Sequence, residues 1–185
     1  MTQPMPSTAH TSALAPAFLD EIHAFLDTAF EGRFDAHDWD HTLGGVHAWV
    51  SDGSGLLAHG SVIQRRAVHA GRSLRVGYVE GVAVRAGHRR RGLGGRIMAA
   101  LEEVVDGAYA FGALAASAGA VPLYTGRGWT AWPGRIAVQG PEGVVRLPHE
   151  EGSTYVRGTG GAPLPATGEP GSDLLVFDWR DGDVM

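Results

Sequence analysis

Cysteine and lysine are both missing from this 185-residue chain. Without cysteine there is no disulfide, no thiolate nucleophile, no cysteine-held zinc and no acyl-cysteine intermediate. Without lysine the phosphate loop G-x-x-x-x-G-K-[ST] cannot be written. All 15 basic side chains are therefore arginine, set against 20 acidic ones for a net charge of −5. That sign argues against a general nucleic-acid binder and is compatible with a cationic small-molecule partner. No apolar run is long enough to span a bilayer, and "MTQPMPSTAHTSALAP" has neither the basic start nor the apolar stretch of a signal peptide. A soluble, cytoplasmic, non-membrane protein is expected.

The 44% hydrophobic content is enough for one core, and the length suits one domain. Residues 1–13 read as a disordered tail and 14–185 as a single domain. From Ala17, "AFLDEIHAFLDTAF" places Phe18, Ile22, Phe25, Leu26 and Ala29 on one helical face. "EGRFDAHDWDHTLGG" reads as turn-rich loop. Three strand-like runs follow, separated by the hairpin signals "DGSG" and "AGRS". Leu93, Ile97, Met98, Leu101, Val104 and Val105 then trace a helical stripe. "YAFGALAAS" suits a buried strand parallel to its predecessor, "AGAVPLYTGRGW" a short helix, and "RIAVQG", "STYVRG" and "LLVFDWR" later strands. "GTGGAPLPATGEPGS" reads as an exposed loop. The expected fold class is α/β (α+β), a mixed, mostly antiparallel central sheet flanked by helices.

The stretch "GVAVRAGHRRRGLGGRI", 81–97, carries five arginines and five glycines where a strand turns into a helix. Free N–H groups and the helix dipole make such a corner an anion site. A dinucleotide fingerprint fails, because Ile97 stands where the third glycine of G-x-G-x-x-G belongs. The bland alternative is a solvated basic loop. Arg89 to Gly94 reads R-x-x-G-x-G just after the strand residues Val82, Ala83 and Val84. This resembles the acyl-CoA loop of the GNAT N-acetyltransferase superfamily. The resemblance implies acetyl-CoA as co-substrate. Its pyrophosphate would be held by Arg89, Arg90, Arg91, Gly92, Leu93, Gly94 and Gly95. Its pantetheine would pair with Val82, Ala83 and Val84, and the Val82 N–H would serve as oxyanion donor.

Acetyl transfer to an amine needs a base for the amine, polarisation of the thioester and an acid for the leaving thiolate. Glu80, in the otherwise apolar "YVEGVAV", is the candidate base, acting directly or through water; otherwise it is an outward-facing strand carboxylate. Tyr124 in "VPLYTGRGW" occupies the place of the superfamily's general acid; otherwise it is a half-buried aromatic. "DWDHTLGG", "VIQRR", "GYVEGVAVR", "GAYAFGAL", "LYTGRGW" and "DWRDGDV" extend the likeness, which is similar to the aminoglycoside 2'-N-acetyltransferases over nearly the whole chain. That family implies the 2'-amine of an aminoglycoside as acceptor and a homodimer. A polycation needs carboxylates. The candidate acceptor-binding residues are Asp38, Asp40, Glu80, Gly81, Ser117, Glu150, Glu151, Asp183 and the terminal carboxylate of Met185. Arg33 departs from an acidic mouth, although Glu31 or Asp35 could substitute for it. His37 and His41 with Asp38 and Asp40 have i, i+4 metal-ligand spacing but lack a firm third ligand, so no metal is expected. Acetylation of another amine (a polyamine, an amino sugar or a protein N-terminus) and a non-catalytic acyl-CoA sensor stay open as alternatives.

Overall fold

A computed structural model describes residues 5–160, 164, 173–182 and 185. In chain order the elements are β1 (Ser7–His10), α1 (Pro16–Ala29), α2 (Ala36–Thr42), β2 (Val46–Asp52), β3 (Gly55–His69), β4 (Arg72–Val84), α3 (Leu93–Ala108), β5 (Phe111–Ala115), α4 (Val121–Thr125), β6 (Thr130–Ala131), β7 (Arg135–Gly140), β8 (Gly143–Arg146), β9 (Thr154–Gly158) and β10 (Leu174–Asp178). The chain divides into two compact units, Met1–Ile63 with Val79–Val104, and Gln64–Tyr78 with Val105–Met185. Strands β3 and β4 and helix α3 each run from one unit into the other.

The first unit orders its strands β1-β2-β3-β4. Strand β1 pairs antiparallel with β2, Ala9 opposite His47, so residues 7–10 form a strand where a disordered tail is expected. Helix α1 opens with Pro16, tolerated there because the first N–H groups of a helix have no internal acceptor. Its buried Ile22 and Leu26 pack with Leu56 and Ala83, and Phe18, Phe25, Trp39 and Trp49 close around them. Helix α2 replaces the expected loop. Asp35 Oδ1 accepts from the N–H groups of His37 (2.8 Å) and Asp38 (3.0 Å), while Asp38 Oδ2 accepts from the Asp35 N–H at 2.9 Å. This reciprocal cap starts a seven-residue helix that has little apolar periodicity to announce it. The backbone bonds at its N-terminus hold the Asp35 carboxyl below its ordinary pKa.

The second unit has the order β6-β9-β5-β4-β3-β10-β7-β8. Pairs β4–β5 and β10–β7 are parallel, and β5–β9, β6–β9, β7–β8 and β3–β10 are antiparallel. The parallel β4–β5 pair follows from the α3 crossover between them. Ala70 (φ 47) and Gly71 (φ 74) form the turn from β3 to β4. Two positive φ values in a two-residue loop match the twist of a hairpin. The sheet is thus mixed and mostly antiparallel, with helices flanking it, as the sequence leads one to expect. The stretch 158–172, read as an exposed loop, falls largely outside the described residues.

Gly60 shows how closely β3 and α3 approach. A Cβ there would lie 2.8 Å from Ile97 Cγ2 and 3.0 Å from Leu101 Cδ1, both on fully buried side chains. Gly60→Ala is therefore expected to destabilise by about 1–3 kcal/mol through overpacking. A thermal melt should register this as a lower Tm, and an unchanged Tm would show that the helix gives way freely.

Candidate active site

In the first unit, β4 loses its regularity at Gly81, whose φ of 56 turns the chain into the left-handed region. A side chain there pays a steric cost that glycine escapes. Glu80 precedes the break and is half-buried, with its Oε1 removed from solvent. Val82 and Val84 are half-buried and Ala83 is buried beyond it. The chain then passes Ala86–His88, a single 3₁₀ turn, and reaches α3. On the way Arg90 (φ 61) and Gly92 (φ 81) both enter the left-handed region. For arginine that conformation is uncommon and strained. The Arg96 N–H donates to the Gly92 carbonyl at 3.2 Å. The N–H groups of Leu93, Gly94 and Gly95 belong to the turn before, where a helix offers no internal acceptor. They share the positive end of the helix dipole. Nothing lies within 4 Å of a Cβ built on Gly92, so space is open in front of this loop.

The arginines divide by task. Arg85 donates from Nε to the Leu56 carbonyl (2.8 Å) and from Nη2 to the Ser54 carbonyl (3.4 Å). Arg89 Nε donates to the Val84 carbonyl at 3.2 Å, folding the loop back on its strand. Arg90 and Arg91 are exposed. A cleft of about 550 Å³ opens beside this segment, lined by Glu21, Phe25, Thr28, Leu56, Arg85 and Arg89 among others.

Two buried histidines sit against the same strand break. Thr11 Oγ1 meets His47 Nε2 at 2.8 Å, His47 Nδ1 meets His59 Nε2 at 3.0 Å, and His59 Nδ1 meets the Gly81 carbonyl at 3.1 Å. Burial lowers the His47 pKa to about 4, helped by the charge of His10. It lowers that of His59 to about 3, with His47 adding to the effect and the Gly81 carbonyl opposing it. Asp38, expected to face an acceptor, spends its carboxylate on the α2 cap, whereas Asp40 is exposed on the same helix. His41 is buried. Among the described residues no group of three or more histidine, aspartate or glutamate side chains is placed to hold a metal.

In the second unit, Tyr124 is buried in α4 with its ring edge-on to Trp129, the centroids 6.4 Å apart. The following turn closes on it, since the N–H groups of Arg127 and Trp129 both donate to the Tyr124 carbonyl. Ser117 lies exposed in the turn that leads into α4. Glu150 accepts from Ser153 Oγ at 2.9 Å, and Glu151 is held bidentately by Arg146 at 2.8 and 3.0 Å. That pairing keeps the Glu151 carboxyl below its ordinary pKa. Met185 is buried, and its main-chain oxygen accepts from Tyr78 Oη and Arg180 Nη2, each at 2.6 Å. Asp183 lies outside the described residues.

Arg65 and Arg180 both stack on the Tyr78 ring, 4.9 and 5.1 Å from its centroid. Arg65, only 2% exposed, pairs with Asp178 at 2.9 Å. Of these two guanidinium groups, that of Arg180 binds the Met185 main-chain oxygen and that of Arg65 binds Asp178. The arginine–tyrosine cluster is an arrangement that the sequence does not announce, although "VIQRR", "GYVEGVAVR" and "DWRDGDV" each carry one of its members.

Residues 10–132 match the acetyltransferase (GNAT) domain family. A protein of Mycolicibacterium fortuitum named aminoglycoside 2'-N-acetyltransferase is 42% identical over 178 residues, covering 95% of this chain and 89% of that protein. The GNAT family N-acetyltransferase YhbS of Escherichia coli, solved in complex with CoA, superposes with a TM-score of 0.64 at 16% identity, covering 96% of this chain and 93% of that one. A GCN5-related N-acetyltransferase from Kribbella flavida gives 0.54 at 20% identity over 70% of this chain, which spans only 34% of that protein's length. Among the described residues no helix is long and apolar enough to cross a membrane.

Proposed function

The chain belongs to the aminoglycoside 2'-N-acetyltransferase family of GNAT acetyltransferases, and we propose that it moves an acetyl group from acetyl-CoA directly to the 2'-amine of an aminoglycoside within a ternary complex. The observation that carries this reading is the near full-length likeness to the Mycolicibacterium fortuitum enzyme.

The loop suits the co-substrate. A pyrophosphate needs several donors converging on one point with space in front of them. The α3 N-terminus, the left-handed Arg90 and Gly92 and the open face at Gly92 supply these. Glu80 is assigned as the base that takes the proton from the acceptor ammonium, directly or through a water. The freed nitrogen pair attacks the thioester carbon, and the Val82 N–H receives the charge that gathers on oxygen. The carbon–sulfur bond breaks and Tyr124 gives its phenolic proton to the departing thiolate. For the polycation the proposal leans on Glu80, the exposed Asp40 and the half-buried Glu150, since Asp38 and Glu151 already serve the α2 cap and Arg146. The homodimeric state and cytoplasmic location stay part of the proposal.

The test is thiol release from acetyl-CoA with tobramycin, with NMR of the product to locate the new amide. Turnover with a 2'-amide is expected. Acetylation of peptides but not aminoglycosides would overturn the acceptor, and CoA binding without turnover on any amine would favour a sensor.

Gly92→Val tests the cradle separately. At φ 81 a β-branched residue is strained even though nothing blocks its Cβ. Relaxation of that strain re-aims the N–H groups. Calorimetric titration should show the acetyl-CoA Kd rising by about 10-fold, the equivalent of roughly 1.4 kcal/mol. An unchanged Kd would remove this loop from the binding site.

A further inference from the structure

We infer that His59, held in one tautomer by His47, is a positioning residue that clamps the Gly81–Val82 peptide and thereby aims the Val82 N–H. The inference rests on the proposed function, because it treats that N–H as the oxyanion donor.

The direction of every hydrogen bond in the chain follows from its inner end. A carbonyl oxygen can only accept, so His59 must carry its proton on Nδ1 and donate to Gly81 over 3.1 Å. A neutral imidazole then presents Nε2 as an acceptor. His47 must fill it from Nδ1 over 3.0 Å, which leaves its own Nε2 to accept from the Thr11 hydroxyl over 2.8 Å. Thr11 is held for this task, because its Oγ1 accepts the Gly44 N–H at 2.9 Å and its own N–H donates to the Gly45 carbonyl at 2.9 Å. The relay runs laterally from the end of β1 through β2 and β3 to β4. Both histidines are fully buried, and their lowered basicity keeps them neutral. The Thr11 hydroxyl has a second acceptor in reach, the Gly45 carbonyl at 3.2 Å, but only donation to His47 Nε2 at 2.8 Å leaves every imidazole nitrogen with a complementary partner.

The relay ends where a strand most needs help. Gly81 is the one residue of β4 with positive φ. A residue turned that way no longer presents its carbonyl as a regular strand does, and a buried carbonyl without a partner is costly. The peptide bond is planar and trans, so its C=O and N–H point in opposite directions. Fixing the Gly81 oxygen towards His59 therefore fixes the Val82 N–H away from it. An aliphatic side chain at 59 could fill the space but could not hold that orientation. Two buried histidines are an expensive way to pack a core, since each must be matched atom for atom.

Imidazole-detected NMR of the wild type gives the first reading. Both rings should be neutral Nδ1–H tautomers across pH 5 to 8, and an Nε2–H ring at either position would overturn the relay. The second reading is kinetic. His59→Leu, checked as folded by circular dichroism, should lower kcat by on the order of 10²-fold, as loss of one aligned oxyanion donor does. KM for both substrates should stay within about threefold of wild type, because the contact at issue gains strength only in the transition state. His59→Asn keeps a donor at the Nδ1 position and should recover most of the rate. An undiminished kcat in folded His59→Leu, or a fall that His59→Asn does not relieve, would overturn the proposal. If His59→Leu does not fold, the wild-type tautomers and the His59→Asn rate still decide.

The Val82 amide resonance separates this inference from the reading it rests on. It should shift downfield when acetyl-CoA binds, and the shift should be lost in His59→Leu. If the wild type acetylates no aminoglycoside but that pattern holds, the proposed acceptor falls and the relay stands. If both folded proteins turn over equally, the relay falls and the acceptor stands.

Discussion

Glu80→Gln should lower kcat on an aminoglycoside by about 10²–10⁴-fold, the range that a positioned general base supplies. Glutamine keeps the size and one acceptor oxygen of glutamate but cannot take a proton. The half-buried setting of Glu80, with Oε1 shut off from water, changes little in such a swap, so the fold should survive. The pH profile carries the sharper signature. Without a base, the only reactive acceptor is the fraction of amine that loses its proton in solution. The residual kcat/KM should then climb tenfold per pH unit up to the pKa of the amine. Tyr124→Phe should show a contrasting fault, because it removes the proton destined for sulfur and leaves amine activation intact. Its loss should shrink when a co-substrate with a more acidic thiol is supplied, whereas that of Glu80→Gln should not. A Glu80→Gln enzyme within about threefold of wild type, with an unchanged profile, would remove Glu80 from the chemistry.

The parts of this protein that could be read in the sequence are those whose cause is local. The β3–β4 hairpin is announced by "AGRS" and α3 by its apolar stripe, and the loop proposed to hold acetyl-CoA joins those two elements. Helix α2 is missed because its start depends on a reciprocal pair of aspartates, Asp35 and Asp38, in a segment too polar to show a face. Strand β1 is missed because Ser7–His10 takes its order from β2, a partner that the local sequence does not name. Strand β8 is mostly exposed at the sheet edge and shows no alternation. The candidate site divides in the same way. Glu80 and Tyr124 stand out as single residues in short strings. The histidine relay depends on register: His47 lies opposite Ser61 and Trp49 opposite His59, which makes the two imidazoles diagonal neighbours on β2 and β3. Nothing in a 12-residue separation reveals that. Nor does the sequence distinguish which candidate acceptor-binding carboxylates also hold a structural partner, as Glu151 does with Arg146.

The same relay sets a stability window that can be measured without any substrate. Burial lowers the imidazole pKa from its ordinary 6.5 to about 4 for His47 and about 3 for His59 on folding. A histidine whose folded pKa is depressed binds protons more readily when unfolded. Its contribution is unchanged above pH 6.5 and becomes a growing penalty as pH falls towards the folded value. At pH 5 the unfolded form of each ring is mostly protonated while the folded form is neutral. The expected penalty is about 2 kcal/mol per ring, or roughly 4 kcal/mol for the pair, relative to pH 7.5. The carboxylates held below their ordinary values, Asp35, Asp52, Asp106 and Glu151, act in the same direction but only once pH falls through the carboxylate range. The interval from pH 7.5 to 5 thus isolates the histidines. Urea denaturation across it should show the unfolding free energy falling with little change in m, since the surface exposed is the same. In the His47→Asn/His59→Asn double variant nothing at these positions titrates, so the slope should flatten by most of that amount. Stability equal at pH 5 and pH 7.5 in the wild type would mean that the two rings are hydrated or charged in the folded protein. A relay with its protons fixed by the Gly81 carbonyl could not then exist.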